Sequence, residues 1–204
     1  METTETSVFI VEDDAAAREG YQDLVESIGL KARAFSSAEE FLDSYDNEWC
    51  GCLLLDVRMP GMSGLKLQEE LSRRGSTLSI LFLTGHGDVA MAVEALKKGA
   101  MDFVEKPAGG QHLLDKVHDA IKESARLRQK EMAAKDIRSK LDLLTSRERE
   151  VLDCVRAGKQ AKVIARELGL SRKTVDWHLS VIRQKMDVES SSELILLLHR
   201  ADRA

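Results

Sequence analysis

Four short apolar runs in the first half of the chain end in residues able to do chemistry. Ser7–Val11 leads into Glu12-Asp13-Asp14. Cys52–Val57 carries Asp56 near its end, Ile80–Thr84 ends in Thr84, and Met101–Lys106 ends in Lys106, followed by Pro107. Taken singly, acidic residues at strand ends are often solvated loop residues, and a Lys-Pro step is often just a turn. If the runs are strands of one parallel sheet, however, their carboxyl ends line one crevice, where open α/β sheets bind ligands. Three acidic positions, a hydroxyl and an amine then converge. Clustered carboxylates repel one another, and a hard cation relieves the repulsion. An oxygen-only donor set suits Mg2+. A carboxylate held beside Mg2+ can attack a phosphoryl donor and form an acyl phosphate, a transfer governed by positioning and charge neutralisation. The Lys ammonium and the Thr hydroxyl would neutralise or hydrogen-bond the phosphoryl oxygens.

The elements that must position these residues are legible in the spacing. A fifth apolar run, Lys31–Phe35, lies between the first and second of the four, and helical patterns separate the runs: Ala15–Ile28, Ala38–Tyr45, Gly64–Arg74, Val89–Lys98 and Gln111–Ser124. The near-continuous aliphatics of the first, third and fourth runs suit strands buried on both faces. Ser37 with Glu40 forms a plausible capping box, and Gly29 and Gly99 stand where helices should stop. Five β-α repeats predict a doubly wound, flavodoxin-like α/β domain with a five-stranded parallel sheet over residues 1–122. Residues 123–143 are charged, without Gly or Pro, and predict a helical linker whose apolar seam is too broken to specify a coiled coil. Residues 144–204 read as all-helical.

Glu12-Asp13, Asp56 within Leu-Leu-Leu-Asp-Val-Arg-Met-Pro-Gly-Met-Ser-Gly, Thr84-Gly85 and Lys106-Pro107 resemble the receiver domain of two-component response regulators over roughly residues 6–122. The resemblance implies Asp56 as phosphoacceptor. It implies Glu12, Asp13, Asp56 and the backbone carbonyl of Arg58 around Mg2+, Thr84 and Lys106 at the phosphoryl group, and Phe103 as the aromatic switch residue. It also implies a cis Lys106–Pro107 bond. Glu12 replaces the commoner Asp, and Ala108 stands where many relatives have Phe. With Gly109-Gly110 following, a looser start is expected for the last receiver helix.

In the third segment Thr145 and Glu148 form a candidate capping box for a helix starting near Leu144. Val163–Leu168 is a short helix ended by Gly169, and Ser171 caps the next, which runs to about Met186. Helix, short turn, helix is the arrangement of a DNA-binding helix-turn-helix. On the last of these, Val175, Leu179, Ile182 and Met186 make one apolar stripe. The opposite stripe is Lys173, Trp177, Ser180 and Gln184, flanked by Arg172, Arg183 and Lys185. An exposed Trp among cations fits a groove-facing surface, although Trp177 packed on a neighbouring helix among solvated cations is the plainer alternative.

Leu144–Asp187 is similar to the FixJ/NarL/LuxR-type output domain, on Leu-Thr-Ser-Arg-Glu-Arg-Glu-Val-Leu, Val-Ile-Ala-Arg-Glu-Leu-Gly-Leu-Ser and Thr174-Val175-Asp176-Trp177-His178. It implies a double-stranded DNA contact set of Lys162, Ser171, Arg172, Lys173, Asp176, Trp177, His178, Ser180, Arg183, Gln184 and Lys185. Asp176 departs from the Lys or Glu common there, and Ser180 from a common basic residue, so base preference does not transfer. The resemblance implies that Ser190–His199, rich in Leu, forms a fourth helix that contributes to dimerisation; covering the module's own core is the plainer alternative, and the two are compatible.

Composition sets the remaining bounds. Residues 1–121 carry 11 Lys/Arg against 22 Asp/Glu, and residues 122–204 carry 19 against 13. An acidic front and a basic back suggest two tasks, the second with nucleic acid. No apolar run is long enough to span a bilayer, and Met1–Ser7 lacks signal-peptide character. Cys50, Cys52 and Cys154 fit reduced residues in a cytoplasmic protein.

The expectation is therefore a cytoplasmic transcription regulator, not an enzyme. A sensor histidine kinase phosphorylates Asp56, the surface near Val89–Lys98, the fifth strand and the last receiver helix changes and supports a homodimer, and paired modules bind two half-sites. An aspartyl-phosphate phosphatase is disfavoured because Arg58 stands where those enzymes place a second carboxylate. A phosphorylation-independent regulator is disfavoured by the acidic site, and an autoinducer-binding regulator by the want of an aromatic-lined pocket signature.

Overall fold

The computed structural model describes residues 6–85, 93, 95–106 and 109–201. The chain divides into two compact units, Met1–Arg128 and Gln129–Ala204.

In the first unit the apolar runs become β1 (Ser7–Val11), β2 (Lys31–Phe35), β3 (Gly51–Asp56), β4 (Ser79–Thr84) and β5 (Asp102–Glu105). They form one parallel sheet in the order β2-β1-β3-β4-β5. Every residue of β3 and β4 is buried, as the unbroken aliphatic runs require. Side chains alternate between two cores, as the two-residue period of a strand dictates. Phe9, Val11, Leu53, Leu55, Ile80 and Phe82 face one side. Val8, Ile10, Cys52, Leu54, Leu81 and Leu83 face the other.

Helices α1 (Ala15–Glu26) and α4 (Gly110–Asp142) bury Val25, Leu113 and Val117 in the second core. Helices α2 (Ala38–Ser44) and α3 (Gly64–Arg73) bury Phe41, Leu67 and Leu71 in the first. Ser37 caps α2 by accepting from the Glu40 N–H at 3.1 Å. The reciprocal bond differs from expectation: the Glu40 carboxylate takes the N–H and hydroxyl of Ser36, at 2.7 and 2.6 Å, rather than the N–H of Ser37. Of the stretch Val89–Lys98, only Val93 and Ala95–Lys98 are described; Lys98 pairs with Glu69 of α3 at 2.8 Å. The Lys106–Pro107 bond and Ala108 lie outside the described residues.

The expected linker is part of α4, and both its ends are packed. In the first unit the buried Ser124 hydroxyl accepts from the Gly51 N–H at 2.8 Å, and buried Arg128 donates to the Asn47 carbonyl at 3.3 Å and pairs with Glu48. In the second, Ile137 is buried and Leu141 packs beside it.

The second unit has α5 (Ser146–Arg156), α6 (Ala161–Leu168), α7 (Arg172–Met186) and α8 (Ser191–Ala201). Gly169 ends α6 in the left-handed region, φ 64°, where a residue without Cβ is unstrained. Val151, Leu152, Ile164, Val175, Ile182, Met186, Leu194 and Leu198 form the core. Leu194 and Leu198 thus join the module's own core, while Leu196 is 61% exposed. All three cysteines are buried and free. No helix among the described residues is long and apolar enough to cross a membrane.

Candidate functional site

The carboxyl ends of β1, β3, β4 and β5 do converge. Carboxylate oxygens of Glu12, Asp13 and Asp56 lie within 4.8 Å of one another. Glu12 is buried and Asp13 exposed, so the cluster has a closed side and an open side. Lys106 bridges two of the three: its Nζ donates to Glu12 Oε2 at 2.6 Å and to Asp56 Oδ2 at 2.9 Å. Burial raises the Glu12 pKa; the Lys106 bond pulls it back, the Asp56 charge pushes it up, and the net direction is up. For Lys106 burial acts downward, but bonds to the two carboxylates outweigh it and its pKa is raised. Lys106, among the described residues, bridges two of the three carboxylates and leaves Asp13 at the open side. An oxygen donor set with an exposed side fits a hydrated Mg2+.

The remaining residues of the expected set surround this cluster. The Arg58 N–H donates to Asp56 Oδ1 at 3.2 Å, which turns the loop after β3 back over the carboxylate. Thr84 is buried one residue beyond Leu83, which pairs with Asp56 in the sheet register. Phe103 is half-buried against the first core, which holds Phe9, Phe35, Phe41 and Phe82, and pairs in register with Phe82.

Several residues that build the site were not singled out from the sequence. Asp14, third of the acidic run, is the N-cap of α1 and accepts from the Ala17 N–H at 2.8 Å. Arg18 Nη1 donates to the carbonyl of Glu12 at 2.7 Å. Gly64 opens α3 so close to β3 that a Cβ there would collide with the Asp56 carbonyl oxygen. Glu39 of α2 accepts from the Met62 N–H at 2.9 Å and anchors the loop between Asp56 and Gly64. The one signal available in the sequence was a cation, Arg18, in the first turn of a helix, where the dipole disfavours it.

In the second unit α7 presents Arg172, Lys173, Asp176, Trp177, Ser180 and Gln184 as exposed residues, and Lys162 is exposed on α6. Trp177 is 60% exposed, so it does not pack into a neighbouring helix. Arg172 and Asp176 form a loose ion pair at 3.9 Å. Ser171 caps α7 through the Thr174 N–H at 3.0 Å.

Three members of the expected contact set sit differently. His178 is buried, not on the exposed face: it lies three residues after Val175 and four before Ile182, so the helical repeat carries it into the core stripe. Lys185 is engaged within the module, donating to Glu148 Oε2 at 2.7 Å and to the Leu143 carbonyl at 3.0 Å. Arg183 is half-buried and its Nε donates to the Leu179 carbonyl at 3.3 Å. Glu148, besides holding Lys185, completes the capping box by accepting from the Thr145 N–H at 2.8 Å.

Comparison with known proteins agrees with both halves. Residues 8–118 match the response regulator receiver domain, and residues 142–198 match the luxR family of bacterial regulatory proteins. The response regulator protein TmoT of Ectopseudomonas mendocina is 40% identical over 200 residues, 98% of this chain and 91% of that protein. The transcriptional regulatory protein FixJ of Bradyrhizobium diazoefficiens is 38% identical over 199 residues, 98% of this chain and 97% of its own. Among solved structures, the response regulator StyR superposes with a TM-score of 0.82 at 39% identity, covering 96% of this chain and 99% of that one.

Proposed function

Because the chain belongs to the two-component response regulators that join a receiver domain to a LuxR-type DNA-binding domain, we propose that Mg2+-dependent phosphorylation of Asp56 by a sensor histidine kinase controls its dimerisation and its binding to DNA. The observation that carries this reading is the convergence of Glu12, Asp13, Asp56 and Lys106 at one end of the sheet.

A carboxylate oxygen of Asp56 attacks the phosphorus of a phosphohistidine. The N–P bond breaks, and its electron pair returns to the imidazole as the acyl phosphate forms. The Lys106 ammonium, already shared between Glu12 and Asp56, neutralises charge on the transferred phosphoryl oxygens. Mg2+, held by Glu12, Asp13, Asp56 and the backbone carbonyl of Arg58, would supply the larger share of that neutralisation. Thr84 hydrogen-bonds the phosphoryl group, and Phe103, half-buried on the neighbouring strand, follows it. The outcome is a population shift toward a dimerising state of a cytoplasmic protein, not the creation of a new fold.

In the output domain Lys162, Arg172, Lys173, Asp176, Trp177, Ser180 and Gln184 form the DNA-facing set, with Ser171 at the N-terminal cap of α7. Arg183 contributes at its edge. His178 and Lys185 support the helix from behind. Exposed cations bind phosphates, while Trp177 offers an apolar face to base edges.

The test is the intact mass of the protein after incubation with Mg2+ and acetyl phosphate, wild type beside Asp56→Asn, with size exclusion on both. A single phosphoryl gain and a shift to dimer in the wild type alone are expected. A gain retained in Asp56→Asn, or no gain with any donor, overturns the assignment. For the DNA face, Arg172→Ala with Lys173→Ala should flatten the salt dependence of binding; an unchanged slope refutes it.

A further inference from the structure

Arg18 stands in the first turn of α1, four residues after its N-cap Asp14. A cation there meets the positive end of the helix dipole. The side chain nevertheless does not lead away from the helix end. It is half-buried, and a single nitrogen, Nη1, donates to the carbonyl of Glu12 at 2.7 Å and to that of Asp13 at 3.3 Å. The shorter bond is the stronger of the two. These are the backbone oxygens of the two residues whose carboxylates cluster with Asp56. The loop is held at its entry by the Glu12 N–H on the Phe35 carbonyl at 3.2 Å, and at its exit by the Asp14 cap at 2.8 Å. Between these points Arg18 takes the two carbonyls and limits rotation about the backbone of both acidic residues.

We propose that Arg18 is a positioning residue for the cation loop: by holding the carbonyls of Glu12 and Asp13 it fixes the direction of their carboxylates and so sets the affinity for Mg2+, an assignment that rests on the Mg2+ reading above. Electrostatics alone requires the opposite sign. A fixed positive charge beside a cation site repels the cation, so if Arg18 acted only through its charge, its removal would tighten Mg2+ binding. Positioning requires that removal weaken it. Arg18→Met keeps the unbranched apolar stem but loses the donors and the charge. Arg18→Lys keeps the charge, but its ammonium is one atom short of the Nη1 position.

The experiment titrates Mg2+ calorimetrically into the full-length wild type, Arg18→Met and Arg18→Lys. The Mg2+ dependence of Asp56 phosphorylation by acetyl phosphate is measured beside it, and circular dichroism reports that each variant is folded. Both variants are expected to bind Mg2+ about tenfold more weakly, the scale on which outer partners of metal ligands act. The half-saturating Mg2+ for phosphorylation should rise by the same factor while the plateau rate stays near that of the wild type. Equal or tighter binding by Arg18→Met overturns the proposal, as does wild-type affinity in Arg18→Lys; if Arg18→Met fails to fold, Arg18→Lys decides alone. A wild type that binds no Mg2+ and takes up no phosphoryl group overturns the underlying reading instead, and is recognised before the variants are compared.

Discussion

Truncating Glu148 to Ala should unfold the output unit at lower cost while leaving the receiver sheet untouched. Glu148 is 5% exposed and ties two parts of its module together. One carboxylate oxygen accepts from the Thr145 N–H at the start of α5 and from Lys185 Nζ near the end of α7. Losing the capping half of this arrangement costs about 0.5–1 kcal/mol. Losing a hydrogen bond between charged groups costs about 1.5–3 kcal/mol. Lys185 is 29% exposed and keeps the Leu143 carbonyl, so it regains hydration and the second cost falls at the lower end. The expected total is about 2–3 kcal/mol, a large part of the roughly 5 kcal/mol that holds a small domain folded. Native-state amide exchange on the full-length protein measures it: protection in α5 and α7 should fall by that amount, and protection in β3 and β4 should not change. A loss below about 0.5 kcal/mol, or one shared equally by the sheet, would refute the reasoning.

The same residue predicts a pH dependence. Burial pushes the Glu148 pKa up, yet the bonds from Lys185 and Thr145 outweigh it and the folded value is lowered. A lowered folded pKa gives stability that is fully present above the unfolded carboxylate value of about 4.3 and lost as pH falls through the folded one. The difference between wild type and Glu148→Gln should therefore be constant near neutrality and shrink only below about pH 4.3.

Three further outcomes are expected. Ser124→Ala leaves the buried Gly51 N–H without its hydroxyl partner and should lower receiver stability by about 1–3 kcal/mol, read by urea denaturation; a change within error would mean that water replaces the hydroxyl. Gly64→Ala drives a methyl against the Asp56 carbonyl, an overpacking that should cost about 1–3 kcal/mol and slow phosphorylation of Asp56; wild-type rates would show that the loop yields freely. His178→Leu removes a buried Nδ1 that has no hydrogen-bond partner among the described residues, so stability should hold or rise and DNA affinity should stay within about a factor of three. A tenfold loss of affinity without loss of folding would return His178 to the DNA-facing set.

The sequence by itself determined the order of the elements, the parallel sheet and the residues gathered at its carboxyl ends. Those properties follow from local pattern: uninterrupted aliphatic runs require strands covered on both faces, and any residue ending such a strand must lie at the same edge as Asp56. Only the tertiary structure decided how individual polar groups are used. Asp13 and Asp14 are adjacent and chemically identical, yet one faces the carboxylate cluster and the other caps α1, because the helix begins between their reach and not elsewhere. Lys185 looks like any cation on α7 until Glu148, 37 residues earlier, is brought against it. The helical repeat sets His178 beside the core stripe of α7, and the neighbouring helices of the module cover it. The local period of a helix or strand fixes where a side chain starts, but the partner that satisfies its charge or covers its surface is set by packing between segments distant in the chain, and no spacing within one segment records it.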